Sequence, residues 1–226
     1  MNGGDTPGRS VGDPVDNIYG YVCEGIFKSQ EEIDNSPKQV WGAVPGDLKY
    51  ADINNDGVVN QNDRKSLGST FPKINFGLRV NCEYRNFDLT MLLQGAGMVK
   101  GVTAGEISQA FMNGGKVTEE WLDRWTPETV NASYPRLTLS GSSRNYMTSS
   151  FWVQNASYLK MRNLQIGYTI PKNILSHLGV SNLRLYCSID NLFTISKFKG
   201  LDPEMVTTQT MYPLTRNYSF GINLSF

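Results

Sequence analysis

Every second residue from Ile74 to Tyr84 is apolar: Ile74, Phe76, Leu78, Val80, Cys82 and Tyr84. Between them stand Asn75, Gly77, Arg79, Asn81 and Glu83. Side chains of a strand alternate faces, so this period predicts one strand with a greasy face and a wet face. Its length is that of a tilted strand crossing a bilayer, about 9–11 residues. Arg85-Asn86 reads as a tight turn, after which Phe87, Leu89, Met91 and Leu93 resume the pattern. The two segments together predict a hairpin of long strands.

The same period returns three times. Tyr158, Leu164, Ile166, Tyr168 and Ile170 are expected on one face, with Lys160 and Arg162 interrupting it. Leu183, Leu185, Cys187 and Ile189 lie opposite Arg184, Tyr186, Ser188 and Asp190. At the chain's end Tyr218, Phe220, Ile222, Leu224 and Phe226 alternate with Asn217, Ser219, Gly221, Asn223 and Ser225. A soluble β-sandwich alternates too. Three details favour a membrane: strands longer than a sandwich's usual 5–6 residues or so, aromatics near strand ends, and a wet face of Asn, Ser, Gly and Arg. The expectation is all-β: a segment of an antiparallel transmembrane β-barrel with long extracellular loops. Ile74, Phe76, Leu78, Val80, Phe220, Ile222, Leu224 and Phe226 are expected to face lipid.

Composition narrows the alternatives. Of 226 residues, 39 % are apolar and 19 % charged. That is too apolar for disorder. Lys+Arg and Asp+Glu balance at 21 each, so no basic surplus points to nucleic acid. No apolar run is long enough for a transmembrane helix, and MNGGDTPGRS lacks the apolar core of a signal peptide. Three cysteines, Cys23, Cys82 and Cys187, cannot close a disulfide set and have no zinc-ligand spacing. No nucleophile triad, phosphate loop or zinc cluster is visible, and His177, the single histidine, stands beside no spaced nucleophile, so an enzyme is not expected.

Two regions flank the long strands. Residues 1–72 read as loops and short strands, and 73–226 as barrel strands and surface loops. The stretch 98–150 is a long loop with one short helical candidate, Glu119 to Trp125. Such loops are uncommon in compact domains and ordinary on outer-membrane barrels. Its aromatics Phe111, Trp121, Trp125, Tyr134 and Tyr146 are candidates for stacking on cargo or meeting a partner; packing within the loop is the alternative use.

The sharpest local motif lies at 52–63. Asp52, Asn54, Asp56, the Val58 carbonyl, Asn60 and Asp63 fall at positions 1, 3, 5, 7, 9 and 12 of an EF-hand-like loop, with Gly57 at the sharp turn. A structural Ca2+ is the cofactor this spacing suggests. Asp at position 12 is shorter than the usual Glu, and an ion-free Asx turn is the simpler reading. Charged residues on the wet face are Arg79, Glu83, Asp88, Arg184 and Asp190, expected to pair across strands and solvate a lumen.

Longer segments carry a resemblance. VGDPVDNIYGYVCEGIFKSQEEID (Val11 to Asp34), GDLKYADINNDGVVNQNDR (Gly46 to Arg64), YPRL (Tyr134 to Leu137), FWVQNASYLKMRNLQIGYTIP (Phe151 to Pro171) and LYCSIDNLFTISKFKGLDPE (Leu185 to Glu204) resemble the SusC/RagA family of TonB-linked outer-membrane proteins. The terminal Phe226 resembles the recognition signal of outer-membrane barrels. The resemblance implies a large barrel around a plug domain, TonB-powered import of glycan fragments or peptides, and a SusD-type surface lipoprotein as a lid. It also implies that signal sequence, TonB box, plug and most of the barrel lie upstream of this stretch. The competing expectation is a soluble all-β glycan-binding module with a calcium-stapled loop.

Overall fold

The computed structural model describes residues 14, 16–105, 108–139, 144–175, 179–206, 212 and 214–226. It divides into two compact units. One holds Met1–Phe71, Val99–Asn155 and Phe198–Met211, and the other Pro72–Met98, Ala156–Lys197 and Tyr212–Phe226. Residues 99–155, which hold nearly all of the expected long loop, thus group with the N-terminal region rather than with the long strands.

The first unit is built from short pieces. β1 (Asn17–Gly20) pairs with β6 (Lys65–Ser69), and β2 (Cys23–Ile26) with β4 (Leu48–Tyr50), both antiparallel. β3 (Lys38–Gln39) runs parallel to β5 (Val58–Val59). One α-helical turn, α1 (Gln30–Asp34), starts at Ser29, whose hydroxyl accepts the Glu32 N–H, the expected N-cap bond. β9 (Lys100–Val102) pairs with β10 (Val153–Asn155). Tyr21, Leu48, Tyr50 and Val59 form one core, with Trp41 packed against it. Gln39, only 5 % exposed, holds the edge of β4: its amide oxygen accepts the Tyr50 N–H and its amide nitrogen donates to the Leu48 carbonyl. A buried side chain thereby does the work of a backbone ladder.

The second unit is one antiparallel sheet of five strands. β7 (Ile74–Tyr84) and β8 (Phe87–Gly97) form the hairpin expected around Arg85-Asn86, and Arg85 takes the left-handed conformation the turn requires (φ 56°). β11 (Tyr158–Thr169), β12 (Asn182–Ser196) and β13 (Asn217–Ser225) complete it, in the order β13-β12-β11-β8-β7. A helical turn, α2 (Lys172–Leu175), follows β11; His177 lies outside the described residues. Among the described residues the sheet is open, with β7 and β13 at its edges.

One expectation about faces is corrected. Tyr158 pairs with Ala96 and Ser196, on the wet face, not with Leu164 and Ile166 on the greasy one. The cause is a β-bulge between Met161 and Asn163, where the register with both neighbouring strands steps past Arg162. One extra residue inverts the alternation upstream of it. Leu159 and Met161 therefore take the greasy face, opposite Gly95 and Leu93.

Candidate functional site

Direct cross-strand partners share a face, so the register assigns both surfaces of the sheet. On one face Val80, Met91, Leu164 and Ile189 follow one another, and Cys82, Leu89, Ile166, Cys187 and Phe220 make the next row. This face is apolar across all five strands. Much of it is bare: Ile74, Phe76, Leu78, Phe220, Ile222 and Leu224 are each 47–82 % exposed, and Phe226 is 88 % exposed. Val80 is half-buried. Monomeric soluble proteins rarely carry a contiguous apolar patch of this extent.

The opposite face is polar. Asn81, Thr90, Gln165, Ser188 and Ser219 cross it in one row. Arg184 on β12 reaches over Gly167 on β11 to Asp88 on β8, and donates from Nε (2.8 Å) and Nη2 (2.5 Å) to the two carboxylate oxygens. This two-toothed pair is the strongest geometry available to Arg and carboxylate. The Tyr186 ring lies under the same guanidinium, 5.2 Å from it. The Asn163 amide donates to Ser188 and Asp190. Arg79, Asn81, Glu83 and Thr90 join Asp88 and Arg184 around a hollow of about 680 Å3 on this face. Of the expected wet-face charges, Asp88 and Arg184 come together; the register pairs Asp190 with Asn163 and Asn217, and Arg79 with Leu92.

The 52–63 loop closes on itself. Asp52 accepts N–H bonds from Asn55, Asp56 and Gly57, and Asp56 accepts one from Val58. The Asn54 amide donates to Asp56, and the Asn60 amide to the Val58 carbonyl. Asp63 is fully buried, and its carboxylate accepts N–H bonds from Ile53, Asn54 and Asn60. Burial pushes this carboxyl up, but the three N–H donors and the Asp52 side chain outweigh burial and hold it below the ordinary Asp value. Among the described residues no group of three or more His, Cys, Asp or Glu converges as a metal cage.

Of the two uses expected of the loop aromatics, packing within the loop is what most of them show. Trp121 is 2 % exposed, within the 310 turn Glu119–Asp123, and its ring meets Tyr134 and Tyr146 edge-on or tilted. It is part of the core of this region. Trp152 and Phe151, which the sequence did not mark, complete the cluster. Trp125 packs over Gly46, whose positive φ (91°) and missing side chain make room for the ring. Phe111 is the one of the five that stands out, 45 % exposed and itself at φ 58°. Asn145 is a further buried hub: it accepts the Leu48 N–H, donates to Asp47, and its carbonyl takes the Trp152 indole N–H. Arg136 binds the same Asp47 at 2.6 Å. Single buried amides of this kind leave no periodic trace in a sequence.

Protein-family models give no match to this chain. Individual proteins do. TonB-dependent receptor P26 of Formosa agariphila is 30 % identical over 238 residues, covering 96 % of this chain and 23 % of that protein. TonB-dependent receptor P3 of the same organism is 26 % identical over 95 % of this chain, and TonB-dependent receptor SusC of Bacteroides thetaiotaomicron is 27 % identical over 92 %. The chain is similar to SusC-type TonB-dependent receptors over nearly its whole length. It spans about a fifth of the length of these SusC-type relatives. In the RagAB peptide transporter, a solved chain shares the fold with a TM-score of 0.70 at 21 % identity, over 93 % of this chain and 22 % of that one. The 'open-open' RagAB peptide importer gives 0.69 at 21 % identity.

Proposed function

We propose that the five long strands are part of the wall of a transmembrane β-barrel in the outer membrane, within a TonB-dependent importer of glycan fragments or peptides. The observation that carries this reading is the apolar face, continuous over five strands and largely bare, set against a polar face with paired charges. A barrel wall needs that division: apolar toward lipid, polar toward a lumen. An open sheet has unpaired edges, and bare N–H and C=O groups in lipid cost several kcal/mol each, so β7 and β13 would pair with further strands of the same barrel. Similarity to SusC-type receptors supports the importer, a SusD-like surface lipoprotein as its lid and TonB as its energy source. A soluble glycan-binding module would leave the apolar face in water, which argues against it.

The test places a fluorophore on each face at one depth. In protein whose own cysteines are replaced by Ser, Leu78→Cys and Arg79→Cys are labelled with an environment-sensitive dye in reconstituted membranes. Brominated lipid should quench the label at 78, and aqueous iodide the label at 79. Iodide quenching at both positions, with no effect of brominated lipid, would return the chain to the soluble reading.

We further propose a structural Ca2+ in the 52–63 loop, held by Asp52, Asn54, Asp56, the Val58 carbonyl, Asn60 and Asp63. The oxygen spacing and Gly57 support it. Millimolar Ca2+ added after chelation should raise the melting temperature, Mg2+ should do so less, and Asp52→Asn with Asp56→Asn should abolish the response. An unchanged melting temperature in the native sequence would remove calcium from the account.

A further inference from the structure

Glycine weakens a strand unless something needs its missing side chain. The five-stranded sheet has such glycines. A Cβ on Gly221 would collide with the Tyr186 ring and hydroxyl, and all three of its nearest neighbours belong to that one side chain. A Cβ on Gly167 would collide with Asp88 and Arg184, where their ion pair crosses β11. A Cβ on Gly95 would collide with the Phe76 ring and with the Tyr158 carbonyl. None of the three has a positive φ, so the backbone does not ask for glycine there. Gly77 and Gly97, in the same hairpin, would meet only ordinary contacts at 3.7 and 3.6 Å.

We propose that Gly167 and Gly221 set the register of this sheet, each acting as a seat for a bulky group of an adjacent strand, with Gly95 as a further seat within the β7–β8 hairpin. Their placement covers every pairing. Phe76 seated on Gly95 joins β7 to β8. The Asp88–Arg184 bridge seated on Gly167 joins β8, β11 and β12. Tyr186 seated on Gly221 joins β12 to β13. A pairing that slips must move by two residues to keep its apolar face outward. Such a slip would bring Ser219 or Asn223 under Tyr186, and Gln165 or Thr169 under the ion pair, and each of those carries a side chain. The seats at Gly167 and Gly221 therefore discriminate where the alternation cannot, because every two-residue slip keeps the alternation intact. In the β7–β8 hairpin one such slip would bring Gly97 under Phe76, and there the tight turn at Arg85-Asn86 holds the register. An aromatic ring over a cross-strand glycine is a known way to pin a register.

The experiment reads register directly and does not depend on transport. In protein with Cys23→Ser and Cys82→Ser, Cys187 is offered a partner cysteine on β13 at Tyr218, Phe220 or Ile222 under mild oxidation. Direct antiparallel partners lie about 4.5–5.5 Å apart at Cα, within disulfide reach, and diagonal ones about 7–8 Å apart. Phe220→Cys should cross-link, because Cys187 and Phe220 are partners. Gly221→Val should lower that yield at least fivefold, and adding Tyr186→Ala should restore it, because the obstruction is the ring. Gly77→Val should leave it unchanged. If Gly221→Val misfolds, the yield falls equally and the Tyr186→Ala rescue still decides. An unchanged yield in Gly221→Val, or a loss that Tyr186→Ala does not repair, would overturn the proposal.

Discussion

Asp63 shows how one carboxylate can close a loop. Its two oxygens take N–H bonds from residues 53, 54 and 60, across the base of the 52–63 turn. Asn in its place offers one acceptor and brings a donor where only donors already point. Asp63→Asn should therefore cost roughly 1–3 kcal/mol, the range for stranding buried polar groups. The sign with pH follows from the depressed carboxyl. Its stabilisation is complete above the unfolded Asp value of about 3.9 and is lost as pH falls through the lower folded value. Urea midpoints measured between pH 6 and pH 2.5 should show the native protein converging on Asp63→Asn at the acid end. Spacing marked Asp63 as a position-12 oxygen. It did not show that the oxygens would serve backbone N–H groups, because burial depends on the chain packed around the turn.

At the scale of single elements, β11 is the instructive strand. Lys160 and Arg162 looked like interruptions in an otherwise regular pattern. The bulge at Arg162 accounts for both: it turns Lys160 and Tyr158 to the wet face and leaves Leu159 and Met161 on the greasy one. Arg162 itself reaches Gln94 on the wet side, with Nε donating at 2.9 Å. Simple alternation and the bulged strand predict opposite outcomes for neighbouring substitutions. On the proposed barrel-wall reading, Leu159→Lys should destabilise the sheet in a bilayer by up to about 2–4 kcal/mol, depending on depth, and Tyr158→Gln by clearly less. Unfolding midpoints in lipid vesicles would rank the two, and the reverse order would favour an unbulged strand. The remaining long strands were legible because ten or so residues of strict period two leave little ambiguity. The pieces of the first unit were not, because strands as short as β3 and β5 have no period to read.

For the molecule as a whole, sequence position and spatial order part company. β8 and β11 are hydrogen-bonded neighbours, yet residues 98–157 intervene between Gly97 and Tyr158. The aromatic residues of that interval could have served as surface contacts or as packing, and most of them form its interior, around Trp121 and Trp152. Clustering of this kind escapes a linear reading, since Phe151 and Trp152 meet Tyr134 only after the chain has turned back. The pairing of β9 with β10 sits at the neck of the interval, where Lys100 faces Asn155. Closing a chain loop carries an entropic charge that grows with the logarithm of its length. Once the neck has formed, only residues 98–99 and 156–157 separate it from the two long strands. With that pair in place, the length of the interval should add little to the entropic cost of bringing β8 and β11 together, even though the interval itself packs against the N-terminal region.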